Sequence, residues 1–176
     1  MPKLVPQTHE ALHTIAEEIT SEDFESGYVT KLIKKMREAL KEYNVDGFVA
    51  VAIAAPQVGV SKRLFIVSDQ STDREKAMPS FVAINPKIVK SSKKTHFVGE
   101  GCLSVRDHYG EVKRATNVTM RALDENGKQF ERGAGGLLAQ IIQHETDHLD
   151  GILFVDRAEQ VWDKEEMKGK NLSEAE

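Results

Sequence analysis

Cysteine is almost missing from this 176-residue chain: Cys102 stands alone, so no disulfide can form within it. A fold that needs no disulfide suits a reducing compartment. Long apolar runs are missing too, and no stretch approaches the roughly 18 consecutive apolar residues of a membrane span. The opening MPKLVPQTHEALH has neither the apolar core of a secretory signal nor the Arg/Ser-rich, acid-poor character of a transit peptide. The cytoplasm is therefore the expected location, with no membrane partner. A net charge of -4 supplies no basic excess, so no direct nucleic-acid site is evident. The length suits one domain with one core.

What is present begins with helical periodicity. Leu12, Ile15, Ala16 and Ile19 predict an amphipathic helix over 8–19, and Val29, Leu32, Ile33, Met36 and Leu40 a stronger one over 28–43. SEDFESG between them reads as a polar connection. From Gly47 the texture turns to strands, in FVAVAIAA, RLFIVSD, FVAINPKIVK and NVTMRALD, with DENGK as a hairpin and DQSTDREKAMPS as a polar loop. Helix returns from Gly135 in GGLLAQIIQHETDHLDG, with Gly151 as its stop. Helices, then strands, then a helix indicate an α+β fold.

Two stretches match His-Glu-x-x-His, HEALH at 9–13 and HETDH at 144–148. A helical wheel separates them. In the later helix Leu137, Leu138, Ile141, Ile142 and Leu149 share an apolar arc. Gln140, Gln143, Asp147 and Asp150 lie opposite. His144 and His148 fall at the arc's edge and Glu145 near its middle, so all three point inward. A carboxylate placed there needs a partner, a proton or a chemical task. In HEALH, Glu10 turns away from the apolar stripe, which is the pattern of a solvated face.

A catalytic metal usually takes three protein ligands. The long pattern with a third histidine fails, because that position is Phe154. Glu159, Glu165 and Glu166 lie downstream, as in thermolysin-like peptidases, but within a polar tail. Cys102, flanked by glycines in GEGCLS, is the upstream candidate. A lone cysteine can equally be a small buried hydrophobe.

EGCLS, with QHETDH about forty residues later and AVAIAAPQVGV about forty-five residues earlier, resembles the peptide deformylases. The resemblance implies mainly antiparallel sheets packed around a central HExxH helix with N-terminal helices before it. It implies one catalytic domain at 1–158 and a charged tail at 159–176. It implies one divalent metal on Cys102, His144 and His148, with Fe2+ native and Zn2+, Ni2+ or Co2+ able to substitute. Glu145 would be general acid/base, and the Gln57 amide and Leu103 N–H would bind the developing oxyanion. The substrate would be an N-formyl-methionyl nascent peptide, extended along Val51, Ala52 and Gly101, with its methionine near Leu137 and Ile141. Such a substrate suggests the ribosome, near its exit tunnel, as partner. Glu100 and Arg114 are expected to form an ion pair that steadies the Cys102 loop.

Ala50 and Ala52 stand where the family's first motif carries glycines, which matters if the backbone there needs positive φ or close substrate approach. Arg106 lies near the place of a peptide-holding arginine, and Gln140 makes the pocket more polar. A zinc peptidase of another class and a non-catalytic, metal-stabilised relative are the alternatives.

Overall fold

A computed structural model describes residues 4–43, 50–69 and 78–167. Its helices are α1 (Ser21–Glu25), α2 (Tyr28–Glu42), α3 (Gly136–Leu149), α4 (Phe154–Arg157) and α5 (Lys164–Met167). The strands are β1 (Ala52–Ala54), β2 (Leu64–Val67), β3 (Phe81–Ser91), β4 (Thr95–Cys102), β5 (Val105–Ala115), β6 (Asn117–Leu123), β7 (Gln129–Gly135) and β8 (Gln160–Asp163). They build an antiparallel sheet in the order β1-β2-β3-β6-β7 and a second one in the order β4-β5-β8. This is the α+β architecture expected, with the HETDH helix between the sheets.

Strand alternation explains how the larger sheet takes a helix on each face. In β2, Leu64 and Ile66 join the core formed with Val29, Leu32, Ile33 and Met36 of α2. Phe65 and Val67 point the other way, into the core formed with Ala139, Ile142 and Leu149 of α3. β2 is thus buried on both faces, which is why it reads as an unbroken apolar run. A third core gathers Leu12, Cys102, Val105, Val112, Leu153 and Phe154, tying the smaller sheet to the chain on either side of α3.

Three expectations change. Residues 8–19 form only a 3-10 turn at Glu10–Leu12. Beyond it the chain is held by long-range bonds: the Ala16 and Ile19 N–H groups donate to the Leu149 carbonyl and Asn85 Oδ1. Tertiary pairing has overridden the helical period, and Ile15 is left 75% exposed. SEDFESG, read as a connection, begins with α1, because Thr20 and Asp23 form a capping box. The charged segment after 158 contributes β8, whose Gln160–Asp163 pairs with His108–Glu111 of β5. Residues 48–49 of the expected FVAVAIAA strand and most of the 69–80 loop lie outside the described residues.

The hairpin at DENGK is present, with Asp124 Oδ1 accepting from the Asn126 and Lys128 N–H groups. Gly151 does stop α3, at φ +72°. A β-carbon there would lie 2.8 Å from the Thr14 nitrogen and 2.9 Å from the His13 carbonyl carbon. Gly151→Ala therefore adds a backbone clash to a left-handed strain of about 1–2 kcal/mol. Urea unfolding of the metal-free protein should show a loss of at least that size.

Candidate active site

α3 and the end of β4 meet where the larger sheet's β1 edge faces the smaller sheet. Cys102 closes β4, and α3 presents His144 and His148 one turn apart. The ligand atoms of these three residues all lie within 4.8 Å of one another, with Cys102 Sγ 3.2 Å from His148 Nε2. A thiolate and two imidazoles this close can converge on one cation of the iron, cobalt, nickel or zinc kind. Burial opposes ionisation of the Cys102 thiol, but His148 and His144 outweigh it and hold the thiol well below its usual range.

The cluster has further donors. The Ser104 N–H donates to Cys102 Sγ over 3.4 Å. Gln57 accepts from the Ala54 N–H at Oε1, 2.8 Å, which orients its amide so that Nε2 points to Cys102 Sγ at 3.5 Å and Ser104 Oγ at 3.3 Å. Ser104, only 5% exposed, carries no mark of this role in the sequence. Nothing in EGCLS distinguishes a serine that touches Gln57 from one in an ordinary turn.

Glu145 is 5% exposed, and its Oε2 has no hydrogen-bond partner among the described residues. Burial is the largest influence on it and pushes its carboxyl up to about 7, against the pull of His144 and His148. The inward placement read from the wheel is what the structure has.

On the far side of His144, Nδ1 donates to Glu100 Oε2 over 2.8 Å. Glu100 takes a forked pair from Arg114, at 2.8 Å from Nε and 3.0 Å from Nη2, so the expected ion pair is present. Burial resists ionisation of Glu100, but His144 and Arg114 prevail and lower its carboxyl to about 2. Arg114 Nη1 continues to Asp147 Oδ2 at 2.6 Å. Asp147, which the wheel sets opposite the apolar arc, is nonetheless buried, at 7% exposed. The smaller sheet covers that face of α3, which a single helix's periodicity cannot reveal.

Cys102, His144 and Glu145 line a cavity of about 160 Å3 whose walls include Ala50, Val51, Ala52, Gln57, Gly101, Leu103, Leu137, Gln140 and Ile141. Every residue proposed for substrate or oxyanion thus shares one cavity with Cys102, His144 and Glu145. Leu137, on the apolar arc of the wheel and expected beside the methionine, is 55% exposed and lines this cavity. The Val51 carbonyl accepts from the Ser68 N–H, so Val51's main chain faces β2, and by alternation Ala52's faces away from it. Ala50 and Ala52 are unstrained, since the positive-φ residues other than glycine among those described are Asn85 and Asp107. Gln140 Nε2 donates to the Gly99 carbonyl at 3.0 Å. Arg106 turns aside, donating to the Tyr43 hydroxyl at 3.1 Å and lying over its ring.

The histidines of HEALH are not part of this group, although Leu12 packs in the same core as Cys102. His9 Nδ1 caps the 3-10 turn by accepting from the Ala11 N–H, and His13 Nε2 bonds the Gln7 carbonyl at 2.6 Å.

The model of the polypeptide deformylase family matches residues 1–164. Peptide deformylase 2 of Gloeobacter violaceus is 42% identical over 154 residues, 85% of this chain and 79% of its own. The Met-Ala-Ser bound crystal structure of a peptide deformylase from Acinetobacter baumannii aligns at a TM-score of 0.79 and 36% identity, over 88% of this chain and 96% of that one. A Synechococcus elongatus peptide deformylase in complex with actinonin aligns at 0.77 and 33% identity, over 91% and 81%. Sequence and fold agree across nearly the whole described chain, and it belongs to the polypeptide deformylase family of enzymes.

Proposed function

We propose that this enzyme hydrolyses the formyl group from the N-terminal methionine of nascent polypeptides, releasing formate. One observation carries the reading: a buried Glu145 carboxyl, its Oε2 without a hydrogen-bond partner among the described residues, beside a Cys-His-His cluster at a cavity between two sheet edges. Cys102, His144 and His148 would hold the metal, Fe2+ natively, with Zn2+, Ni2+ or Co2+ as substitutes. When bound, such an ion polarises a carbonyl and brings the pKa of water toward neutrality.

The chain's own groups do the rest. A formyl-methionyl peptide lies extended along β1, using the outward main chain of Ala52, with its methionine toward Leu137 and Ile141 and its second edge at Gly101. Water attacks the formyl carbon while Glu145 takes its proton, and the same carboxyl passes that proton to the departing amine. A carboxyl near 7 suits both halves of that transfer at neutral pH. Gln57 Nε2, held in place by the Ala54 N–H, and the Leu103 N–H stabilise the oxyanion. The Met-Ala-Ser peptide bound to the Acinetobacter relative supports a peptide in this cavity. No described helix is long and apolar enough to cross a membrane. Nascent substrate places the work in the cytoplasm, beside the ribosome.

The test is formate release from formyl-Met-Ala-Ser by ferrous protein prepared without oxygen, alongside metal content. Stoichiometric metal and formate are expected, with metal lost in Cys102→Ser and kept in His9→Ala. Intact substrate with metal bound would mark a non-catalytic relative, and cleavage of internal peptide bonds would mark a peptidase. Loss of metal in His9→Ala alone would overturn the ligand assignment.

A further inference from the structure

The contacts behind His144 do not stop at the buried ion pair. Asp147 accepts from Arg157 as well as from Arg114: Arg157 Nε lies 2.7 Å from Oδ2 and Nη2 2.8 Å from Oδ1. A line of alternating charge therefore runs His144, Glu100, Arg114, Asp147, Arg157. It starts at a candidate ligand and ends at a side chain 45% exposed. Its two carboxylates and two guanidiniums balance.

We infer that Arg157 is a positioning residue: through Asp147, Arg114 and Glu100 it fixes the His144 ring and so sets how tightly the site holds its metal. The inference rests on the reading of Cys102, His144 and His148 as ligands. Each link is directional. Arg157 Nη2 donates to Asp147 Oδ1, which leaves Oδ2 to accept from Arg114 Nη1; the Arg114 fork in turn occupies both Glu100 oxygens, and Glu100 Oε2 takes the His144 Nδ1–H. Fixing Nδ1 this way leaves Nε2 as the nitrogen free to ligate.

A second contact comes from the same short helix. Arg157 is the last residue of α4 and Phe154 the first, and the Phe154 ring stacks on His144 with centroids 6.5 Å apart and planes at 23°. α4 thus touches the ligand directly through Phe154 and reaches it indirectly through Arg157. Phe154 is 1% exposed and belongs to the third core, so α4 stays docked when the Arg157 head group is removed.

The experiment measures the zinc affinity of the folded protein by competition with a chromophoric chelator, and the melting temperature of the metal-free protein. The parent and Cys102→Ser first establish whether the ligand reading stands. Partners behind a metal-bound histidine typically change affinity by about 10- to 100-fold. At this remove Arg157→Met should weaken zinc about tenfold, and Arg157→Lys, which keeps the charge but loses the planar guanidinium, about threefold. A residue that only docks α4 would lower the melting temperature and leave the affinity of folded protein unchanged. Parental affinity, within twofold, in Arg157→Met overturns the inference. If that variant does not fold, parental affinity in Arg157→Lys does the same.

Discussion

Glu145→Gln should lower formate release by about 10²- to 10⁴-fold, the usual contribution of a general acid/base, while leaving metal content and fold intact. The two outcomes separate because of where Glu145 sits. Its side chain is in none of the ion pairs of the described residues, and His144 keeps Glu100 as its counter-charge when Glu145 is neutralised. Burial of its Oε2 without a partner is itself a cost, of about 1–3 kcal/mol for such a group. Glutamine keeps the shape and removes the charge, so the metal-free variant should be as stable as the parent or more so.

The pH dependence has a definite sign. A carboxyl raised from 4.5 to about 7 in the folded protein holds its proton there more tightly than in the unfolded chain. Its contribution to stability is present below about pH 4.5 and lost as pH rises through 7. The stability advantage of Glu145→Gln over the parent should therefore widen across that window. A variant with parental formate release would remove Glu145 from the chemistry; one with unchanged release and a widening advantage would leave it only a buried acid.

What could be read before the structure was what local chemistry determines. The period of α2, the DENGK turn and the inward set of HETDH follow from spacing along one element. The β4–β5 hairpin could not be read in this way. Its alternation is broken by Gly99, Gly101 and Gly110, and its inward positions include Glu100 and Arg114, charges that look solvated until Asp147 and His144 are known to face them. For the same reason Asp147 falls opposite the apolar arc on the wheel, and nothing in the sequence marks Arg157. The helix expected over 8–19 failed for a different cause: its period was real, but the bonds to Leu149, Ser61 and Asn85 hold the chain extended. Local signals located the candidate ligands on α3, while the groups orienting them came from another sheet.

Those orienting groups carry the largest expected loss of stability. Arg114→Met removes the guanidinium between Glu100 and Asp147, whose side chains are 2% and 9% exposed. Two carboxylates are then left buried near each other, with Arg157 and His144 as the remaining counter-groups. Breaking a buried pair from one side typically costs about 3–5 kcal/mol, because the charge left behind is cut off from water and has lost its nearest partner. The comparison is Arg37→Met, whose partner Glu125 is 49% exposed, where a change of about 1 kcal/mol or less is expected. Urea unfolding of the metal-free proteins reads both. Glu100→Gln with Arg114→Met should recover part of the loss, since the double change removes the stranded charge nearest His144. If Arg114→Met were no more costly than Arg37→Met, the pair would be decoration rather than support. A large loss in the single variant and a partial return in the double would show that β5 and α3 are joined at this point by charge.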